Sequence, residues 1–388
     1  MPKMPIYLDY NATTPIDPRV AQAMAPFLHQ YFGNPSSTHA FGVEARQAVE
    51  KARSQVADLL GCQPGEIVFT SGGTESNNMA IRGAAEVLKA RGGHIITSAV
   101  EHPAVLEPCR YLERQGLRLT VLPVDEYGRV DPAQVEAVLT NETILISIMH
   151  ANNEVGTIQP IEEIANISRE RGVLFHTDAA QSLGKIPVRV DDLGIDLLSV
   201  AGHKFYAPKG VGALYIRSGV DLEELMHGAD HEAGRRPGTE NVLEIVGLGQ
   251  AAEIVAADMA KNAAHMHDLR ERLWRGLQEG LGDPDSIRLN GNPDERLPNT
   301  LSVGFRGIEA NTLLAKIVDR VAVSAGAACH ADGVDVSSVL QAMDVPMEFA
   351  MGTVRFSVGK ISTAAEINRA VQVIVEAVCM LGESRTLR

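Results

Sequence analysis

The stretch SVAGHKFYAPKGVGALYI, residues 199–216, carries Lys204, and LFHTDAAQ, residues 174–181, carries Asp178. Each combines an apolar, β-branched run, which predicts a buried strand, with small and polar residues that predict a loop. Ligands of α/β sheets bind at the carboxyl ends of the strands, so both residues are expected at one crevice. There a lysine can form an imine with an aldehyde, and a carboxylate can hold a pyridinium nitrogen protonated. Taken singly, each could be an ordinary surface residue, but the pair indicates a pyridoxal phosphate (PLP) site.

The rest of the chain alternates strand-like and helical runs, which predicts an α/β fold with a mostly parallel sheet covered by helices. The strand-like runs are EIVFTS, GGHIITS, LRLTVLPV, TILISIMH, VLFHTD, IDLLSV and VGALYI. Helical segments are expected within residues 15–61, with Gly61 as a stop. From about Val242 a long helix, roughly residues 243–280, precedes short strands around TLSVGF, VAVSAG and VRFSVG.

Two domains are expected for a chain of 388 residues. We predict a large PLP-binding domain over residues 16–242. A smaller α+β domain is predicted to combine residues 1–15 with residues 243–388.

The composition argues against nucleic-acid and membrane binding. The net charge is −14 and only 4% of the residues are aromatic, whereas nucleic acids and anionic membranes require basic patches. The N-terminus lacks the apolar core of a signal peptide, and no apolar run is long enough to span a bilayer. Four scattered cysteines without metal-finger spacing suit a reducing compartment. A cytoplasmic protein without a metal site is expected.

The stretch TSGGTESNN, residues 70–78, follows the strand-like run EIVF and opens a predicted helix near Glu75. Glycines allow close approach to an anion, and a helix N-terminus offers free N–H groups with partial positive charge. Ser and Thr also cap helices without any ligand, so capping is the alternative. Beside Lys204, this pattern predicts a phosphate cup at Gly73 and Thr74.

Blocks in fixed order, from LDYNATTP (residues 8–15) to VRFSVGK (residues 354–360), resemble the cysteine desulfurase and selenocysteine lyase branch of the class-V, PLP-dependent aminotransferase-like enzymes. The resemblance covers nearly the whole chain. It implies fold type I, with a mostly parallel seven-stranded sheet, helices on both faces and a smaller α+β domain. It further implies a homodimer with shared active sites.

The resemblance also assigns cofactor contacts. Lys204 would carry PLP, Asp178 would hold the ring nitrogen, and Gln181 would donate a hydrogen bond to the phenolic oxygen. Thr239, in RRPGTEN, would reach the phosphate in the neighbouring subunit. The resemblance further implies that His102 stacks on the ring and shuttles protons. Asn153 would contact both cofactor and substrate, and His203 would contact the phosphate. The family's phosphate-binding serine is replaced here by Ala201.

Sulfur handling is implied by Cys329, in SAGAACHADG, which is expected on an exposed loop. Its thiolate could attack the sulfur of bound L-cysteine and keep it as a persulfide, leaving L-alanine. Arg355, in TVRFSVG, would bind the substrate α-carboxylate, because a guanidinium suits a carboxylate in bidentate geometry. The persulfide would then pass to a sulfur-acceptor protein.

Several alternatives remain open from the sequence. L-selenocysteine is a second candidate substrate, which would make the protein a selenocysteine lyase or a dual enzyme. An aminotransferase, for which Cys329 would be incidental, and a non-catalytic scaffold for a sulfur acceptor are weaker alternatives. The segment HGADHEAG, residues 227–234, and Pro103 depart from the family pattern. The cluster His227, Asp230 and His231 has irregular spacing and lacks a third strong metal ligand.

Overall fold

The computed structural model describes residues 4–330 and 333–386, and for residues 327–330, 333–335 and 384–386 it describes the backbone alone. The strands are β1 (Ile6–Tyr7), β2 (Ile67–Thr70), β3 (His94–Ser98), β4 (Arg118–Leu122), β5 (Thr143–Ser147), β6 (Leu174–Asp178), β7 (Leu197–Ala201), β8 (Gly212–Ile216), β9 (Ile287–Asn290), β10 (Thr300–Phe305), β11 (Val321–Ala322), β12 (Ser324–Ala325), β13 (Ala327–His330), β14 (Gly333–Val336) and β15 (Thr353–Ser357). The helices are α1 (Pro18–Met24), α2 (Ala40–Leu60), α3 (Gly73–Leu88), α4 (Pro103–Arg114), α5 (Pro132–Val138), α6 (Ile161–Arg171), α7 (Val190–Leu193), α8 (Val242–Leu281), α9 (Ala310–Ile317), α10 (Ser338–Ala342), α11 (Met347–Ala350) and α12 (Ala364–Thr386).

A seven-stranded sheet in the order β2-β8-β7-β6-β5-β3-β4 forms the larger layer of the fold. The strand β8 runs antiparallel to both of its neighbours, and the other pairs in the sheet are parallel. All seven strand-like runs of the sequence are strands of this sheet, so the prediction of a mostly parallel α/β sheet is confirmed.

Helices cover both faces of this sheet, because side chains of a strand alternate between its faces. Val68 and Leu197 pack with α3 and α4 on one face. Their chain neighbours Phe69 and Leu198 pack on the other face, with α2, α6 and the first part of α8. Apolar residues at successive strand positions are therefore buried on both sides, as a parallel sheet between two helical layers requires.

A second, antiparallel sheet in the order β12-β15-β10-β9 forms the smaller layer. Its apolar cluster includes residues of α9, α12 and the second half of α8. The N-terminal strand β1 pairs in parallel with β11 next to this layer. The sequence analysis missed β9, whose IRLN pattern contains only one β-branched residue.

The long helix α8 connects the two hydrophobic clusters. Leu248 packs in the cluster of the seven-stranded sheet, whereas Leu273 packs in the cluster of the antiparallel sheet. The division into residues 16–242 and residues 1–15 with 243–388 stays a prediction. Of the helices in residues 4–330 and 333–386, none is long and apolar enough to cross a membrane.

The backbone around Cys329 differs from the expected loop. The strands β13 and β14 form a two-stranded antiparallel hairpin in which Cys329 is opposite Val334. Alanine has low strand propensity, so the sequence of β13, AACH, gave no strand signal. The partner strand β14, GVDV, supplies the pairing.

Candidate active site

A cavity of about 310 Å³ lies at the carboxyl ends of the parallel strands. Most of the predicted site residues reach it from the ends of different strands or the segments that follow them, as expected for an α/β sheet, and Arg355 reaches it from β15. Those that line it are Gly73, Thr74, His102, Asn153, Asp178, Gln181, His203, Lys204 and Arg355.

Lys204 ends a short 3₁₀ turn, Gly202–Lys204, directly after β7. Its Nζ donates to the backbone carbonyls of Asn11 and Ala12, at 2.7 and 2.9 Å. Burial, together with the nearby Arg355, lowers the pKa of Lys204 to about 8, although Asp178 and Asp9 act in the opposite direction. Near neutral pH the neutral fraction of this amine is therefore larger than that of an ordinary lysine, and the neutral amine is the nucleophile for an aldehyde.

Asp178 is the last residue of β6 and is 7% exposed. Its Oδ2 accepts from Asn77 Nδ2 at 2.7 Å, and its Oδ1 accepts from the backbone N–H of Ala180 at 2.9 Å. Both hydrogen bonds fix the direction of the carboxylate. A fixed anion at the cavity wall is suited to a pyridinium N–H.

The predicted phosphate cup is the N-terminus of α3, which begins at Gly73 rather than near Glu75. Gly72 adopts a φ of 147° and packs so closely that a Cβ on Gly212 would lie 2.7 Å from its Cα. A Cβ on Gly73 would lie 3.3 Å from that of Ala201 at the end of β7. Glycines therefore allow the cup to approach the strand end, and the first turn leaves N–H groups available to an anion.

The two cavity histidines are held as neutral rings. His102 is the N-cap of α4, and its Nδ1 accepts from the Ala104 N–H at 3.1 Å, which leaves Nε2 to carry the proton. Surrounding protein atoms lower the pKa of His102, although its side chain is exposed to the cavity. Burial and the adjacent Lys204 lower the pKa of His203 to about 4.

Arg355 projects from β15 and is already ion-paired. Its Nη2 donates to Asp9 Oδ1 at 2.9 Å and to Ser324 Oγ at 3.1 Å, and its Nη1 donates to the Asn153 carbonyl at 3.1 Å. The Nε atom is buried without a hydrogen-bond partner. No sequence pattern marked Asp9, which holds the guanidinium at the cavity.

Asn11 is the main site residue that the sequence analysis missed. It is 1% exposed, and its carbonyl accepts from Lys204 Nζ and from Gln181 Nε2. Its side-chain Oδ1 accepts from Lys185 Nζ at 3.1 Å. The only sequence signal was its position inside the quoted block LDYNATTP, which gave no role for Asn11.

Glu101, next to His102, was also missed. Burial raises its pKa to about 8, and its Oε1 accepts from Ser98 Oγ at 2.7 Å and from the Met149 N–H at 2.8 Å. The carboxyl group thus links the start of the His102 segment to the chain after β5. Glu101 thus stabilises the segment that carries His102 and does not line the Lys204 cavity.

A second cavity of about 600 Å³ adjoins the first and shares His102, Asn153 and Arg355 with it. Gly326 and Val336, the two residues at the base of the β13–β14 hairpin, line this second cavity. The hairpin that carries Cys329 therefore starts at the wall of this second cavity, on the side of Arg355. The Cys329 side chain itself lies outside the described part of the structure.

Two further sequence predictions concern residues away from the cavity. Thr239 is exposed and does not line the Lys204 cavity of its own chain. His231 Nδ1 accepts from the Gly238 N–H, and His227 lies 3.6 Å from Glu224. Among the described residues, no group of three or more His, Cys, Asp or Glu side chains could hold a metal ion.

The cavity residues fit PLP by their chemistry. A lysine with a lowered pKa, a fixed carboxylate and a helix N-terminus are the groups required by an aldehyde, a pyridine nitrogen and a phosphate. They line one cavity, so a single molecule can contact all three.

Comparison with known proteins gives the family. The Aminotransferase class-V family pattern matches residues 6–370. "Cysteine desulfurase IscS" of Dictyoglomus turgidum is 49% identical over 373 residues, which cover 96% of this chain and 94% of that protein. A solved "NifS-like protein" superposes with a TM-score of 0.91 at 40% identity, covering 97% of this chain and 100% of the other.

A solved structure described as "SspA in complex with cysteine" has a TM-score of 0.80 at 37% identity, covering 92% of this chain and 99% of that one. These similarities extend over nearly the full length of each protein. The predictions of fold type I and of PLP as the cofactor are confirmed. The chain belongs to the class-V aminotransferase family, in its PLP-dependent cysteine desulfurase branch.

Proposed function

We propose that this protein is a cysteine desulfurase, which converts L-cysteine to L-alanine and keeps the sulfur as a persulfide on Cys329. The observation that carries the proposal is the meeting of Lys204, Asp178, His102 and Arg355 at one cavity, next to the base of the Cys329 hairpin. PLP, when bound, supplies an electron sink that weakens bonds at the substrate's α-carbon. The relative solved with cysteine supports this amino acid as the substrate.

The protein's own residues would orient the substrate and move protons. Arg355 offers its guanidinium to the α-carboxylate, and the Lys204 amine, which has a pKa near 8, can take and return a proton. His102 presents its Nε2 to the cavity as a second proton carrier. The Cys329 thiolate attacks the substrate sulfur, and an S–S bond forms as the Cβ–S bond breaks. The electron pair left on Cβ takes a proton, which yields alanine.

The assay that tests this function measures alanine release from L-cysteine and from L-selenocysteine under identical conditions. We expect turnover of cysteine, with sulfur recovered as a protein persulfide. A protein that released alanine only from selenocysteine would be a selenocysteine lyase instead. Keto-acid formation by amino-group transfer, without alanine, would indicate an aminotransferase.

The lowered pKa of Lys204 predicts the pH dependence of cofactor uptake. The neutral amine is the nucleophile, so covalent PLP uptake by the apoprotein should rise with pH and level off above about 8. With an unperturbed lysine, the rate of uptake would continue to rise up to a pH of about 10.4. Stopped-flow absorbance measures the uptake, with Nα-acetyl-lysine as the reference amine. A midpoint for the apoprotein near that of the reference amine contradicts the prediction.

We also propose a homodimer with shared sites, in which Thr239 of one subunit reaches the phosphate in the other. Two ion pairs hold the segment before Thr239 against the rest of the subunit. Glu232 of the segment pairs with Arg53 at 2.7 Å, and Arg236 of the segment pairs with Glu75 at 2.8 Å. Glu75 lies in the first turn of α3, so the segment is held beside the cup while Thr239 faces outward. A sulfur-acceptor protein and a cytoplasmic location also stay predictions.

Complementation tests the shared site. Mixing Lys204→Ala chains with Thr239→Ala chains, with subunit exchange, should produce hybrid dimers that have one intact site. Random reassembly makes about half of the dimers hybrid, so about a quarter of wild-type activity is expected. Each variant exchanged with itself is the control. Full activity from a strictly monomeric wild-type protein refutes sharing.

A further inference from the structure

Lys185 is a buried lysine to which the proposed mechanism gives no task. It is 5% exposed, and its Nζ donates to Gln181 Oε1 at 2.6 Å and to Asn11 Oδ1 at 3.1 Å. Burial and the cations Lys204 and Arg355 lower its pKa well below the ordinary value. No carboxylate of the described residues forms an ion pair with it. Burying an amine without an acidic partner costs stability, so its presence points to a role at the neighbouring site.

The contacts of Gln181 fix the direction of its amide. Its Nε2 lies 3.0 Å from the Asn11 backbone carbonyl, which can only accept a hydrogen bond. At the other end, Lys185 donates to Oε1. Both contacts therefore require the same orientation. The side chain lines the Lys204 cavity, and the second hydrogen of Nε2 remains as its donor.

Lys185 and Gln181 also tie the N-terminal segment to the site. Asn11 Oδ1 accepts from Lys185, and the Asn11 carbonyl accepts from Gln181 and Lys204. Lys185 thus donates hydrogen bonds both to the Gln181 amide, which lines the cavity, and to Asn11, whose carbonyl accepts from the Lys204 amine. Removing its amine would leave Gln181 Oε1 and Asn11 Oδ1 each with one donor fewer in a buried place.

We propose that Lys185 is a positioning residue that holds the Gln181 amide with its N–H donor toward the phenolic oxygen of PLP. The inference rests on the proposed PLP site. Lys185 would act through Gln181 and Asn11 and would not touch the substrate.

The test compares Lys185→Met with Lys316→Met, a matched change at an exposed lysine of α9. We expect Lys185→Met to bind PLP about tenfold more weakly, the effect of one lost buried hydrogen bond. The pH midpoint of the bound cofactor's visible absorbance band should shift by about half a unit. Lys185→Met removes a buried amine but leaves Gln181 Oε1 and Asn11 Oδ1 each short of a donor, so the two cofactor quantities, and not the apoprotein's Tm, decide the test. Titration followed by absorbance gives both cofactor quantities.

A double-mutant cycle with Gln181→Ala separates positioning from general packing. If Lys185 acts through Gln181, adding Lys185→Met to Gln181→Ala should weaken PLP binding by less than about twofold more. Lys185→Gln, whose amide is too short to bridge both oxygens, is expected to behave as Lys185→Met does and serves if that variant fails to fold. Unchanged affinity and midpoint, or fully additive effects, would overturn the proposal. A wild-type protein that binds PLP but releases no alanine would refute the desulfurase function instead.

Discussion

Lys204→Ala is expected to abolish alanine release from L-cysteine, with a loss of at least about a thousandfold. In the proposed mechanism the Lys204 amine is both the nucleophile for the cofactor's aldehyde and a proton carrier on the cavity wall. Its carbonyl contacts to Asn11 and Ala12 hold it there. The purified wild type should be yellow, and borohydride reduction followed by peptide mapping should find PLP on Lys204.

The matched control for this change is Lys209→Ala, an exposed lysine five residues later in the same segment. It should retain wild-type turnover and colour. Lys185 Nζ also contacts Asn11, so the mapping must distinguish the two lysines. A reduced PLP adduct on Lys185 in the wild type, or full turnover by Lys204→Ala, would show that the assignment is wrong.

The sequence predicted the parts of this molecule that depend on local pattern. The seven strands are four or five residues long, rich in apolar and β-branched residues and bounded by loop residues, and all but the edge strand β4 are largely buried. Lys204, Asp178 and His102 each stand where such a run ends. The topology of an α/β sheet then brings strand ends together without any further information.

The residues that the sequence analysis missed are those whose role depends on partners far along the chain. Asn11 and Gln181 are 170 positions apart, and Asp9 and Arg355 are 346 apart. A buried polar residue is recognisable only once its hydrogen-bond partners are known, and no periodicity encodes such pairs. Lys185 follows four residues after Gln181, yet only the fold shows that both meet Asn11.

The hairpin around Cys329 illustrates the opposite error. The small residues of SAGAACHADG predict a loop, but the backbone of β13 pairs with β14 in register. Ser337, which follows β14, donates to Glu154 Oε2 at 2.5 Å, next to Asn153 at the cavity. The hairpin base is thus joined to the active site, which a freely mobile loop would not be.

Cys329→Ser is expected to leave PLP binding and binding of L-cysteine intact while reducing alanine release at least about a hundredfold. Serine keeps the size of the side chain, but its oxygen cannot accept the substrate sulfur as a persulfide. The roles that we propose for Arg355 and Lys204, binding and activating the substrate, do not depend on the thiol. The measurements are alanine release, the visible spectrum on adding cysteine, and persulfide detection by mass spectrometry.

Cys379→Ser is the matched control, because Cys379 is exposed on α12 and is not part of the cavity lining. It should retain both turnover and persulfide. Selenocysteine gives the second arm of the experiment, because its selenol is ionised near neutral pH and its carbon–selenium bond is weaker than the carbon–sulfur bond. Residual selenocysteine turnover by Cys329→Ser therefore indicates that the protein acts on both amino acids. Undiminished alanine release from cysteine by Cys329→Ser would make the thiol a bystander. The sulfur would then leave the cavity by another route, and the position of the hairpin beside Arg355 would have no catalytic meaning.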